Sequence, residues 1–324
     1  MIHEYFYDIP NGKRLMFMKG EHITVVFHDI LRSMAYSIIE HYDTSEFDNS
    51  IVIINEIIFD DTWKALELDK YRRKILYNAE HFEAQVFNPQ TKWWDEEIIY
   101  PHLRKHNMEV WDFLIENYDY YPDDLKEKFT FVPLRYSRCF DECRDKIQKA
   151  RENGVRYDLF FSGVHDEQLR LDVLKCLQTG CQSTMNIKFI TSSGYDNFNS
   201  WDLQAMCRFA LDYPHYTLVD QAQNTARIND MICAGNCVIG YINPSFLNYF
   251  EGIIYPAYGW TPENFTNSVK EIIREEQPNY DGYLKYQQLT ENETNYNNYR
   301  KDLVQKYHDI TGNDYPESVC RNII

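Results

Sequence analysis

Apolar runs of strand length recur along this chain, separated by segments whose apolar residues fall at helical spacing. That alternation constrains the fold more than any other feature. A strand that returns parallel to its predecessor needs a crossover of a dozen or more residues, usually a helix. Repeated strand–helix units therefore imply parallel sheets with helices on both faces. IVIINEIIF (51–59) is one continuous apolar run, and KILYNAEH (74–81) begins as another. EVWDFLI (109–115) and FTFVPL (129–134) follow as further strands. Helices are expected over 61–72, 96–107 and 122–128. Residues 2–19 predict a β-hairpin around Asn11-Gly12, a strong two-residue turn signal. The spacing over 21–42 predicts a helix, with a strand at 23–27 and a shorter helix as the alternative.

A charged segment over 137–154 ends in Asn-Gly and marks the expected domain boundary. The alternation then resumes. Strands are expected at 157–163, 186–194, 216–220, 237–242 and 251–258. Helices are expected at 165–180, at 200–214 ended by Pro214, and at 224–236 stopped at Gly235. Thr261 and Pro262 open a further helix as N-cap and first helical residue, and a Tyr- and Asn-rich helical tail fills 280–310. The 324 residues thus divide into two Rossmann-like α/β lobes, 1–153 and 154–300, with a tail over 301–324 able to return to the first lobe.

Charge narrows the partners. Lys+Arg number 33 against 50 Asp+Glu, a net charge of −17. Such a chain is repelled by a nucleic-acid backbone and by anionic lipid, so no nucleic-acid polymer is expected as a partner. A small anionic ligand is compatible, because a few well-placed Arg or Lys suffice in a pocket. No run of about 18 apolar residues occurs, so no transmembrane segment is expected. The N-terminus lacks the apolar core of a signal peptide, and a cytoplasmic protein is expected. The eight cysteines include no CxxC that a matching His pair could complete as a zinc site, so no metal site is expected. GxGxxG, GxxxxGK[ST] and DxD are all absent, which argues against a dinucleotide fingerprint, a P-loop and a metal-bridged diphosphate.

In an open parallel sheet, ligands bind beyond the carboxyl ends of the strands. In the second lobe that edge carries Ser162, Gly163 and His165, then Ser192 and Ser193, then Asn224 and Arg227. Backbone N–H groups at helix N-termini favour phosphate. Arg227 stands where a cation opposes the helix dipole, which favours a binding role for it. Arg170 lies further along the first helix and is long enough to reach back; pairing with Asp166 or Glu167 is its bland alternative. In the first lobe, Asn78, Glu80 and His81 follow a strand, and Glu80 beside His81 could serve as a general base on a hydroxyl. Their bland alternative is a helix-capping Glu80 and a packed His81. Trp93-Trp94 offers a sugar-stacking platform or simple core packing.

RKILYNAEHF, EVWDFLIENYDYY, FTFVPLRYS and YDLFFSGVHDEQLRLDVLKCL follow one another at spacings that resemble GT-B glycosyltransferases. NTARINDMICAGNCVIGYI is similar to the helix and strand of their donor lobe. The resemblance spans roughly 72–275 through loose patterns. It implies two Rossmann-like lobes facing each other across a cleft, with a nucleotide-sugar donor in the C-terminal lobe. A glycan or glycoconjugate acceptor would occupy the N-terminal lobe. It also implies transfer without an obligatory metal or cofactor. Ser162-Gly163 match the loop after the first donor-lobe strand, Arg170 one of a pair of arginines, Arg227 a helix-opening arginine, and Glu80 a strand-end glutamate. Leu169 stands where the first arginine of the pair would be, and Arg135 where a glycine would precede Tyr136. These departures leave donor identity and stereochemistry open. A sugar-nucleotide epimerase-like enzyme and a non-catalytic nucleotide-sugar-binding protein are the alternative functions.

Overall fold

A computed structural model describes residues 2–8, 14–20, 51–55, 63–64, 66–78, 99–162, 168–179, 189–192, 201–213, 226–242, 247–259 and 261–321. They form an α/β protein with two sheets in two units. One unit gathers the described residues of 1–134 together with 296–324, and the other gathers 135–295.

The first unit holds a six-stranded sheet whose spatial order follows the chain. β1 (Ile2–Asp8) and β2 (Arg14–Gly20) pair antiparallel as the expected hairpin, with Ile2 opposite Gly20 and Asp8 opposite Arg14; Asn11-Gly12 lies outside the described residues. β3 (Ile51–Asn55), β4 (Arg73–Asn78), β5 (Glu109–Asp112) and β6 (Phe129–Phe131) continue in parallel. Ile51, Val52, Ile53 and Ile54 are all buried, as a parallel strand covered on both faces requires. Helices α1 (Ile99–Lys105) and α2 (Asp123–Lys126) flank β5 in the chain. The helix expected over 61–72 is not a continuous one. Trp63 and Lys64 are helical, Leu68–Lys70 form a single 3-10 turn, and β4 already begins at Arg73. Apolar spacing here reports Trp63, Leu66, Leu68 and Tyr71 turning inward one by one without a helical face.

The charged segment expected as a connector forms α3 (Asp141–Arg151), which groups with the second unit. The second sheet runs β11-β10-β9-β7-β8, all parallel. Its strands are β7 (Tyr157–Ser162), β8 (Phe189–Ser192), β9 (Cys207–Leu211), β10 (Val238–Gly240) and β11 (Ile254–Pro256). The helices are α4 (Gln168–Thr179), α5 (Trp201–Ala205), α6 (Ala226–Cys233), α7 (Leu247–Phe250), α8 (Pro262–Glu275) and α9 (Gly282–Thr290). Thr261 accepts from the Asn264 N–H at 3.2 Å and Pro262 opens α8, the cap read from sequence. Leu159, Phe161, Phe209, Leu211 and Ile239 on the strands meet Val173 and Leu177 of α4 and Val269 and Ile273 of α8 in one core.

The helix expected over 200–214 is a correction. It stops after five residues at Ala205, and Cys207–Leu211 is a strand in the middle of the sheet, between β7 and β10. Cys207, Phe209, Ala210 and Leu211 are buried, and pairing on both edges supplies backbone hydrogen bonds that local helical spacing cannot reveal. The helix expected at 21–42, the strand at 216–220 and Trp93-Trp94 lie outside the described residues.

Arg135 has a structural task in the second unit. Its Nε donates to the Thr290 carbonyl at 2.7 Å and its Nη2 to the Glu291 carbonyl at 2.8 Å, closing the C-terminus of α9. Nη1 reaches Glu293 Oε2 at 3.1 Å. The chain then enters α10 (Glu293–Thr311), most of which belongs to the first unit together with the terminal 3-10 turn Glu317–Cys320. None of the seven described cysteines forms a disulfide.

Candidate functional site

The second sheet reverses its order at β7. The chain leaves β7 for β8 on one side, then returns through α5 to β9 on the other. Such a switch point opens a crevice beyond the carboxyl ends of the two strands that flank it. β7 and β9 are in register at Phe161 and Leu211, and β7 and β8 at Ser162 and Ser192. Ser162 and Ser192 therefore end adjacent strands at the same level. Asp212 and Tyr213 follow β9 directly and are buried, with the Asp212 N–H donating to Ile239 O at 2.9 Å. The Tyr213 ring packs on Phe265 at 4.6 Å, and burial pushes its hydroxyl up to about 12.

Two helices bring arginines to this edge. A crossover helix in a parallel sheet runs counter to its strands, so its first turn lies at their carboxyl ends. Arg170 is the third residue of α4, which follows β7, and Arg227 is the second residue of α6, which precedes β10. Backbone placement thus sets both on the carboxyl edge that carries Ser162 and Ser192. Gly163, His165, Ser193 and Asn224 lie outside the described residues.

The footing of α6 shows why Arg227 is held there. Ile228, Met231, Ile232 and Cys233 are buried beneath the helix. Asn229 is buried too, and its Oδ1 accepts from the Tyr286 hydroxyl of α9 at 2.7 Å. Arg151 of α3 closes the far end. It donates to Gly235 O at 2.8 Å and Asn236 Oδ1 at 2.9 Å, with its guanidinium 3.9 Å from the Tyr280 ring centre. Burial lowers the Arg151 pKa from its ordinary value. Helix position is thereby fixed by contacts far along the chain, which sequence spacing does not disclose.

In the first unit, β4 ends at Asn78 and β5 at Asp112. Glu80 and His81 follow β4 in the chain and lie outside the described residues. Asp112 is fully buried and collects donors from four residues. Asn78 Nδ2 lies at 2.8 Å, the Leu114 N–H at 2.9 Å, Asn117 Nδ2 at 3.1 Å and the Tyr121 hydroxyl at 3.3 Å. Burial drives its carboxyl well above the ordinary range, and the Asn78, Leu114 and Asn117 donors oppose that shift without cancelling it. The Tyr121 hydroxyl is likewise pushed well up, by burial and then by the Asp112 charge. This cluster is the feature that motif reasoning passed over. Its sequence signal is an acidic residue ending the apolar run at 109–112, followed five positions later by Asn117.

Among the described residues, no group of three or more His, Cys, Asp or Glu side chains is placed to hold a metal ion. No helix among them is long and apolar enough to cross a membrane. No protein-family model matches the chain, and no curated protein matches it.

Proposed function

We propose that the chain is a cytoplasmic glycosyltransferase of the GT-B kind, moving a sugar from a nucleotide-sugar donor to a hydroxyl of a glycan or glycoconjugate. The observation that carries this is the carboxyl edge of the second sheet. A switch point, two serine strand ends in register and the arginine-bearing first turns of α4 and α6 converge on that one edge. N–H groups of helix first turns and guanidinium groups are what a pyrophosphate needs. In this proposal the second unit binds the donor through Ser162, Gly163, His165, Arg170, Ser192, Ser193, Asn224 and Arg227. The first unit, with its own mostly parallel sheet, receives the acceptor.

The chemistry follows from charge. Breaking the bond between the sugar's anomeric carbon and the diphosphate leaves negative charge on the diphosphate, which Arg170, Arg227 and the helix N-termini stabilise. The acceptor oxygen forms the new bond to that carbon and loses its proton to a base, assigned to Glu80 with His81 beside it, if the anomeric configuration inverts. No metal is required, because arginines and backbone dipoles take the role of a divalent cation.

The test is a thermal-shift panel of nucleoside diphosphates and their sugar esters, with and without EDTA. At least one diphosphate and its sugar ester should raise the melting temperature, unaffected by EDTA. Absence of a shift with every nucleotide, or a shift abolished by EDTA, would overturn the proposal. Product formation only when an acceptor is supplied separates transfer from epimerisation.

A further inference from the structure

The outer edge of the first unit's sheet carries an observation independent of glycosyl transfer. β6 is the terminal strand, with β5 on one side. Towards β5, the Val110 N–H donates to Lys128 O at 3.1 Å and the Val132 N–H donates to Asp112 O at 2.6 Å. Strand groups alternate with a period of two, so the Phe129 and Phe131 carbonyls turn outward, and those of Glu127 and Pro133 lie beyond the two ends of the strand. All four are taken by side chains of one later segment. Arg321 Nη2 donates to Glu127 O at 2.6 Å and to Phe129 O at 2.7 Å. Arg300 Nε donates to Phe131 O at 2.8 Å, and the Tyr296 hydroxyl donates to Pro133 O at 2.5 Å. The Phe129 and Phe131 carbonyls are the acceptors an additional strand would use, met here by side chains.

Arg300 is the centre of this arrangement. It is 1% exposed, and beyond β6 it donates to Asn297 Oδ1 at 3.1 Å, to Arg321 O at 3.3 Å and to Val319 O at 3.5 Å. One buried guanidinium thus ties α10 and the terminal 3-10 turn to the strand edge. Val319 is buried at the same place.

We propose that residues 296–321 act as a strap that keeps the β6 edge from pairing with the β6 edge of a second copy of this chain. An uncovered edge presents alternating N–H and C=O groups and is a template for another strand. The alternation turns the N–H groups of Phe129 and Phe131 outward between the capped carbonyls. Two identical edges brought together antiparallel about a two-fold axis each supply what the other accepts. Arg321, Arg300 and Tyr296 satisfy the carbonyls yet offer no strand to extend the sheet. Pro133, which has no N–H, limits any pairing to the few residues before it.

The experiment compares the full chain, a chain ended after Pro316 and Arg321→Ala by sedimentation velocity over a range of concentrations. Amide exchange at Phe129 and Phe131 is read in parallel. The shortened chain should gain a species of twice the full chain's mass as concentration rises. Its Phe129 and Phe131 amides should exchange faster when dilute and slower when associated. Arg321→Ala alters an exposed side chain and should do the same to a smaller degree. If shortening unfolds the chain, Arg321→Ala decides. Folded variants that keep the full chain's mass at every concentration overturn the proposal, as does association that leaves exchange at Phe129 and Phe131 unchanged.

Discussion

The Asn78 side-chain amide donates to the Asp112 carboxylate at 2.8 Å, joining the last residues of two neighbouring parallel strands. The bond sits within a tighter knot. The Tyr77 hydroxyl donates to Val132 O at 2.6 Å, and the Val132 N–H donates to Asp112 O at 2.6 Å. The tips of β4 and β5 and the residue that follows β6 are therefore tied by polar groups that water does not reach. Asn78 lies two residues before Glu80 in the chain, so this knot anchors the strand from which the proposed base departs.

Asp112→Ala strips the acceptor from several buried donors at once and should cost about 2–4 kcal/mol of stability, read by urea unfolding. The pH dependence has a definite sign. The folded-state pKa lies above the unfolded one, so the protonated carboxyl contributes fully below the unfolded value, near 3.9. That contribution declines as pH rises towards the folded value. Asp112→Asn cannot ionise, so the stability of wild type relative to Asp112→Asn should fall as pH is raised from about 4. A difference that stays constant across that range would contradict the assignment.

His106 predicts the opposite slope. Its ring is buried and stacks on His102 at 6.1 Å, which in turn stacks on Trp63 at 5.1 Å. Burial lowers its pKa, Lys105 adds to the effect, and Asp69, 3.7 Å from Nδ1, opposes it. The neutral ring is therefore the folded form. Its contribution is complete above the unfolded value of about 6.5 and is lost as pH falls through that value towards the lower folded one. His106→Gln should flatten the drop in denaturation midpoint below neutral pH; an unchanged drop would assign it to other groups.

Arg227→Ala should weaken binding of the active nucleoside diphosphate about tenfold or more by calorimetry, the scale of a lost charged hydrogen bond. The melting temperature of the free protein should hold or rise slightly, because the substitution removes a cation from a helix N-terminus. Unchanged affinity would take Arg227 out of the donor site.

Glu80→Gln should leave nucleotide affinity unaltered and lower the transfer rate by about 10²–10⁴-fold, the range for loss of a general base. Wild-type turnover in this variant would move the base elsewhere.

Much of the architecture is legible in local pattern. Ile51–Ile54 is wholly apolar because both faces of a parallel strand are covered, and that burial is written directly in the residues. Thr261-Pro262 likewise states its cap chemically. Cys207–Leu211 carries no such mark. Its apolar residues satisfy a helical spacing as well as a strand, and only partners on both edges make it β9.

By itself, the amino-acid order determined the α/β class, the recurrence of strand and helix, and which serines and arginines follow strand ends. Those depend on periodicity and on short-range stereochemistry. Tertiary structure alone decided the β11-β10-β9-β7-β8 order that makes a switch point at β7. It alone buried Asp112 among its donors and carried Arg300 and Arg321 back to the β6 edge. Each of these joins residues tens to nearly two hundred positions apart. A contact of that kind is selected by the free energy of the whole packed unit, which no local window contains.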